Sequence, residues 1–128
     1  MNRISGFTLL ELLVALAILA IVFIVAIPAY SSASARSDMG VAESAIFTSI
    51  NNAVNFSFTG GTRAVLCPSS NGSSCDNSFD WSHGWLSFED KNANRERDAE
   101  DKKLGSYDKI SPDLHILTSA GRTRIAFQ

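Results

Sequence analysis

The chain reads as an α+β protein: a long N-terminal helix, membrane-spanning in its first half, packed against a small antiparallel β-sheet. Three observations predict this. Between Phe7 and Ala29 the sequence is almost wholly apolar, with one charge, Glu11, and one proline, Pro28. From there to Gly60-Gly61 apolar residues recur at helical spacing. After the glycines they come in short runs separated by turn-rich sequence, the pattern of a small sheet.

As a helix, Phe7 to Ala29 is long enough to cross the ~30 Å apolar core of a bilayer. Glu11 then needs a partner, because a carboxylate at the bilayer centre costs roughly 2.5–3.5 kcal/mol. No Lys or Arg lies within the run, so the partner must come from outside this helix. An α-amino group, with a pKa of about 7.7–8.0, is largely cationic at neutral pH and would serve. Cutting the chain after Gly6 would create one at Phe7.

Gly6-Phe7-Thr8-Leu9-Leu10-Glu11, preceded by a short leader with Arg3, resembles the prepilin motif of type IV pilins and of type II secretion pseudopilins. The resemblance implies a membrane-embedded prepilin peptidase that cleaves between Gly6 and Phe7 and methylates the new Phe7 amine. It also implies that Glu11 directs filament assembly by meeting the Phe7 amine of another subunit. The organisation expected is a leader over 1–6, a transmembrane segment over 7–29, an amphipathic continuation over 30–59 and a β-rich periplasmic head over 60–128. An ordinary secretory signal fits poorly, since its apolar core is shorter, at about 7–15 residues, although Ala33-Ser34-Ala35 imitates a cleavage site.

A chain of 128 residues allows one domain, and little of it remains for a soluble core once the anchor is set aside. The net charge of −2, falling to −3 on loss of Arg3, does not suggest a nucleic-acid binder. Charges concentrate between Glu89 and Lys103, six acidic and five basic, and such mixing predicts a solvated loop.

Cys67 and Cys75 flank a Ser/Asn/Gly-rich stretch at hairpin-loop spacing. The anchor places them on the outer face of the inner membrane, an oxidising compartment where a disulfide persists. Closing so small a loop contributes roughly 2–3 kcal/mol. A zinc set is not expected, because His83 and His115 are single and scattered.

Past Pro28 the helix should continue, since proline within a membrane helix kinks rather than stops it. Met39, Ala42, Ile46, Ile50 and Ala53 mark one face, widened by Phe47, Val54 and Phe58, and this face should be buried. The helix would run from Phe7 to near Phe56, about 50 residues or roughly 75 Å, with Gly60-Gly61 ending it. Strands are predicted at Thr62 to Cys67, Trp85 to Glu89, Leu114 to Thr118 and Thr123 to Phe127.

A cysteine, Trp81, then Gly84-Trp85 and a strand ending in Asp90-Lys91-Asn92 resemble the GspH/FimT family of minor pseudopilins and minor pilins. Such proteins sit at a filament tip or initiate assembly, and their partners are other pilin or pseudopilin subunits. Nothing between Phe7 and Phe56 separates pilus from pseudopilus. Relatives usually carry several more strands after the point matching Thr118 to Phe127, so a reduced domain and a truncated sequence both remain open. Trp81 and Trp85 are expected to close the small core.

Asp90-Lys91-Asn92-Ala93-Asn94 imitates the start of a calcium loop, but Arg95 replaces the turn glycine and Asp101 the bidentate glutamate, so an Asx-stabilised turn is expected. With two histidines, no nucleophile elbow and no phosphate loop, the chain is not expected to be an enzyme or to hold a cofactor or metal. One alternative function is carried by Gly121-Arg122-Thr123-Arg124. Some FimT-like minor pilins bind DNA for uptake through a Gly-Arg-x-Arg motif near the C-terminus, and Arg122 and Arg124 at alternate strand positions would share a face. The competing reading is that these arginines pair with the Glu89 to Asp101 acids.

Overall fold

The computed structural model describes residues 7–119 and 121–128. Among these, one helix, α1 (Leu9–Gly60), is followed by four strands: β1 (Arg63–Pro68), β2 (Gly84–Asp90), β3 (Lys103–Asp108) and β4 (Ile125–Phe127). The strands form one antiparallel sheet in the order β3-β2-β1-β4. The chain divides into two compact units at Arg36/Ser37, so the second half of α1 belongs to the same unit as the sheet.

The ends of α1 follow local chemistry. Thr8 caps the start, its hydroxyl accepting from Glu11 N at 3.3 Å, and Glu11 stands three positions on, the spacing of a capping box. At the other end Gly61 takes a left-handed φ of 66° and its N–H donates to Ser57 O at 3.1 Å, which closes the last turn. Pro28 lies inside the helix, and the hydroxyls of Ser31 and Ser32 both fold back onto its carbonyl at 3.0 Å.

In the second unit α1 meets the sheet through small side chains. Ala42, Ala45, Ala53 and Ser57 are buried, with Ile46, Ile50 and Val54 half-buried beside them. Met39, Phe47 and Phe58, expected on this face, are exposed; the sheet supplies the bulk instead. Leu66, Trp81 and Trp85 pack with Ala45, and Trp85 Nε1 donates to Ser49 Oγ at 2.8 Å. The far side of Trp85 stacks on Tyr107 of β3, with ring centroids 4.9 Å apart. Trp81 and Trp85 thus close the core, as expected.

The sheet region differs from the sequence reading in three further places. Leu114 to Thr118 is not a strand: it touches residues 79–81 through a single bridge, Asp80 with Leu117, and short flanking hydrogen bonds. β3 gives no apolar alternation in Lys103-Leu104-Gly105-Ser106-Tyr107-Asp108, because as an edge strand it exposes most of its side chains. Glu89 to Lys103 is not uniformly solvated, since Asp90 and Asp101 are only 2% and 5% exposed. Asp90 accepts from the amides of Asn94 and Arg95 at 3.1 Å each, and Asp101 from those of Lys91 and Asp98. The carboxylates build the turn itself.

Candidate functional site

The N-terminal stretch of α1 combines two features that do not occur together in an ordinary soluble helix. Every large apolar side chain from Phe7 to Ile27 is at least 51% exposed, and Leu9–Gly60 contains a segment long and apolar enough to cross a membrane. Among these apolar residues stands Glu11, in the first turn, four residues beyond Phe7. The position favours a carboxylate, because the unpaired amides of a helix N-terminus carry partial positive charge. Gly6, on the other side of the expected cleavage, lies outside the described residues. The Thr8 cap is legible as Thr8-x-x-Glu11, and the bond it receives uses the backbone amide of Glu11, not its side chain.

Cys67 and Cys75 are bonded, with Cα atoms 5.6 Å apart. Cys67 is fully buried at the end of β1 among Val65, Leu86 and Phe88, and Cys75 is half-buried against them.

The Arg122 and Arg124 site differs from its expected geometry. β4 begins at Ile125, so the two arginines precede the strand and share no strand face. Arg124 is paired with Glu96 and its side chain is 15% exposed, whereas Arg122 is exposed. The fold adds a residue that the sequence singles out only within the calcium-like segment: Arg95, held at φ 64° in the Asp90 turn, lines the same cleft of about 440 Å³ as Arg122 and Arg124. No sequence periodicity links Arg95 to that motif; the turn built on Asp90 does.

The calcium-like segment has its acceptor atoms engaged. Both Asp90 oxygens take backbone amides, and Asp98 Oδ2 accepts from the side-chain amides of Asn92 and Asn94. Among the described residues no group of three or more His, Cys, Asp or Glu is placed to hold a metal ion.

Comparison with known families matches both halves of this layout. Residues 1–27 match the prokaryotic N-terminal methylation motif, and residues 44–128 match the family described as Type II transport protein GspH. No curated protein and no solved structure matches the chain. The GspH match covers well over half of the sequence and includes the helix face, the sheet and both tryptophans. The chain therefore belongs to the GspH family and is a structural subunit of the pilin and pseudopilin kind.

Proposed function

We propose that this protein is a minor pilin or pseudopilin that works by assembly. Prepilin peptidase cleaves between Gly6 and Phe7 and methylates Phe7, and residues 7–29 anchor the subunit in the inner membrane. The periplasmic head carries the sheet, and the subunit joins a type IV pilus or a type II secretion pseudopilus through its N-terminal helix. The observation that carries this reading is Glu11, a lone carboxylate in the first turn of an otherwise apolar and wholly exposed segment. In a filament the Phe7 amine of a neighbour meets it, and lipid or other subunits cover the apolar side chains.

Mass spectrometry of the membrane-extracted protein should find a chain beginning at methylated Phe7; a terminus at Met1 or Ser34 overturns the reading. Glu11→Ala should remain folded and membrane-bound yet fail to enter filaments. Deleting the gene and comparing twitching motility with protein secretion assigns the machine. Loss of neither counts against both.

A second reading, DNA binding for uptake, has the Arg95, Arg122 and Arg124 cleft in its favour, since three guanidinium groups suit a phosphate backbone. The Arg124 pair with Glu96 opposes it. Mobility shift of duplex DNA at low salt decides: equal retardation by wild type and Arg122→Ala/Arg124→Ala, or none by either, rules it out.

A further inference from the structure

The two faces of the sheet are closed in different ways. On one, Leu66, Trp81 and Trp85 lie against Ala45, Ile46 and Ile50 of α1. On the other, Val65, Cys67, Leu86 and Phe88 are all 0% exposed, although α1, the one helix among the described residues, packs on the first face.

Residues 69–76 run over this face, with Cys75 packed against the cluster. This segment is tied to β1 by the Cys67–Cys75 bond and to β3 by Lys103 Nζ, which donates to Gly72 O at 2.7 Å. A Cβ built on Gly72 would stand 3.4 Å from Ser106 Oγ, also on β3. Since β2 lies between β1 and β3, a segment fastened to both must cross β2. Arg97 Nη1 donates to Ser73 O at 2.7 Å and fastens it again. Internally it is pre-shaped: Asn71 Oδ1 accepts from the amides of Ser73 and Ser74, and Asp76 Oδ2 from that of Ser70.

We propose that residues 69–76 are a redox-latched strap: the Cys67–Cys75 bond holds it over the Val65, Leu86 and Phe88 face, and a dithiol reductant releases it while the sheet stays folded. The ends of the strap are held by backbone hydrogen bonds as well, Ser69 N donating to Gly84 O at 3.0 Å and Asp76 N to Pro68 O at 2.8 Å. Between those ends, apart from the bond and the packing of Cys75, the ties to β3 and to the turn are two hydrogen bonds from flexible cationic side chains, which exchange readily with water. The helix-side core does not involve the strap and keeps its tryptophans packed after release.

Access decides the chemistry. Cys67 is buried and Cys75 half-buried, so a reductant thiolate attacks Cys75 Sγ, and Cys67 sulfur leaves and takes a proton. The second reductant thiol then displaces Cys75, which also takes a proton. Two electrons and two protons pass to the protein, and the reductant ends as its own disulfide. The uncovered apolar face would flank the open edge of β3, a surface prone to pairing with other chains. The latch does not depend on which filament the subunit serves.

Hydrogen exchange read by mass spectrometry tests this on the full chain in detergent micelles, with and without dithiothreitol. On reduction the amides of residues 70–75 should exchange at least about tenfold faster, while those of β1 and β2 keep their protection. Cys75→Ser should reproduce the reduced pattern without reductant. Unchanged exchange in the strap overturns the proposal, because the remaining contacts would then suffice. Collapse of protection throughout the sheet also overturns it, because the bond would then staple the whole fold and latch nothing.

Discussion

Leucine, isoleucine, valine and phenylalanine meet opposite fates in the two units of this chain. Before Arg36 the large apolar side chains from Phe7 to Ile27 are all at least half exposed; after it Val65, Leu66, Leu86 and Phe88 are fully buried. The unit from Ser37 supplies its own cover, whereas the segment from Leu9 must obtain it from lipid or from other chains. Substitutions in the second unit should therefore register as lost stability, and those in the first as lost assembly with the head intact.

The largest expected loss is at Trp85, which is 1% exposed, bonded to Ser49 and stacked on Tyr107. Trp85→Ala should destabilise the head by about 3–5 kcal/mol, measured by thermal unfolding of the detergent-extracted chain. Gly84→Ala should follow at about 3 kcal/mol, since Gly84 has φ 117° and a Cβ there would fall 2.2 Å from Tyr107 O, a backbone atom. If either variant unfolds at the wild-type temperature, the head is not held by its own core. Ser49→Ala should cost less, about 1–2 kcal/mol, because it leaves the buried indole N–H of Trp85 without its acceptor.

How much was legible divides along the same line. The membrane-length apolar run and the N-terminal methylation motif are local: a run of apolar residues and a short motif state them without reference to any other part of the chain. The change of period at Gly60-Gly61 and the two core tryptophans were also readable, because each depends on side-chain type. What was missed depends on tertiary pairing. β3 was invisible because an exposed edge strand of small and polar residues carries no apolar period, and Arg95 reaches the Arg122 cleft only through the Asp90 turn. Phe47 and Phe58 were assigned to the core by spacing, but spacing cannot tell which of two adjacent apolar lines on a helix the sheet will choose.

The smallest expected effect is a pH dependence confined to the second unit. Asp80 anchors the turn before β2: its carboxylate accepts from Ser82 N at 2.9 Å, and its backbone bridges to Leu117. Ser82 Oγ in turn accepts from Ile116 N at 2.9 Å, so the turn and the 116–118 segment are held together. Hydrogen bonds from the Ser82 side chain, then from its amide, hold the Asp80 carboxyl below its ordinary value of 3.8. A carboxyl with a lowered folded-state value stabilises the fold when ionised, so its contribution is complete above about 3.8 and is lost as pH falls further through the folded-state value. Thermal unfolding followed from neutral pH downward should show the wild-type advantage over Asp80→Asn persisting to about pH 4 and shrinking below it. An advantage that stayed constant down to pH 2 would mean that the carboxylate charge contributes nothing and that shape alone holds the turn.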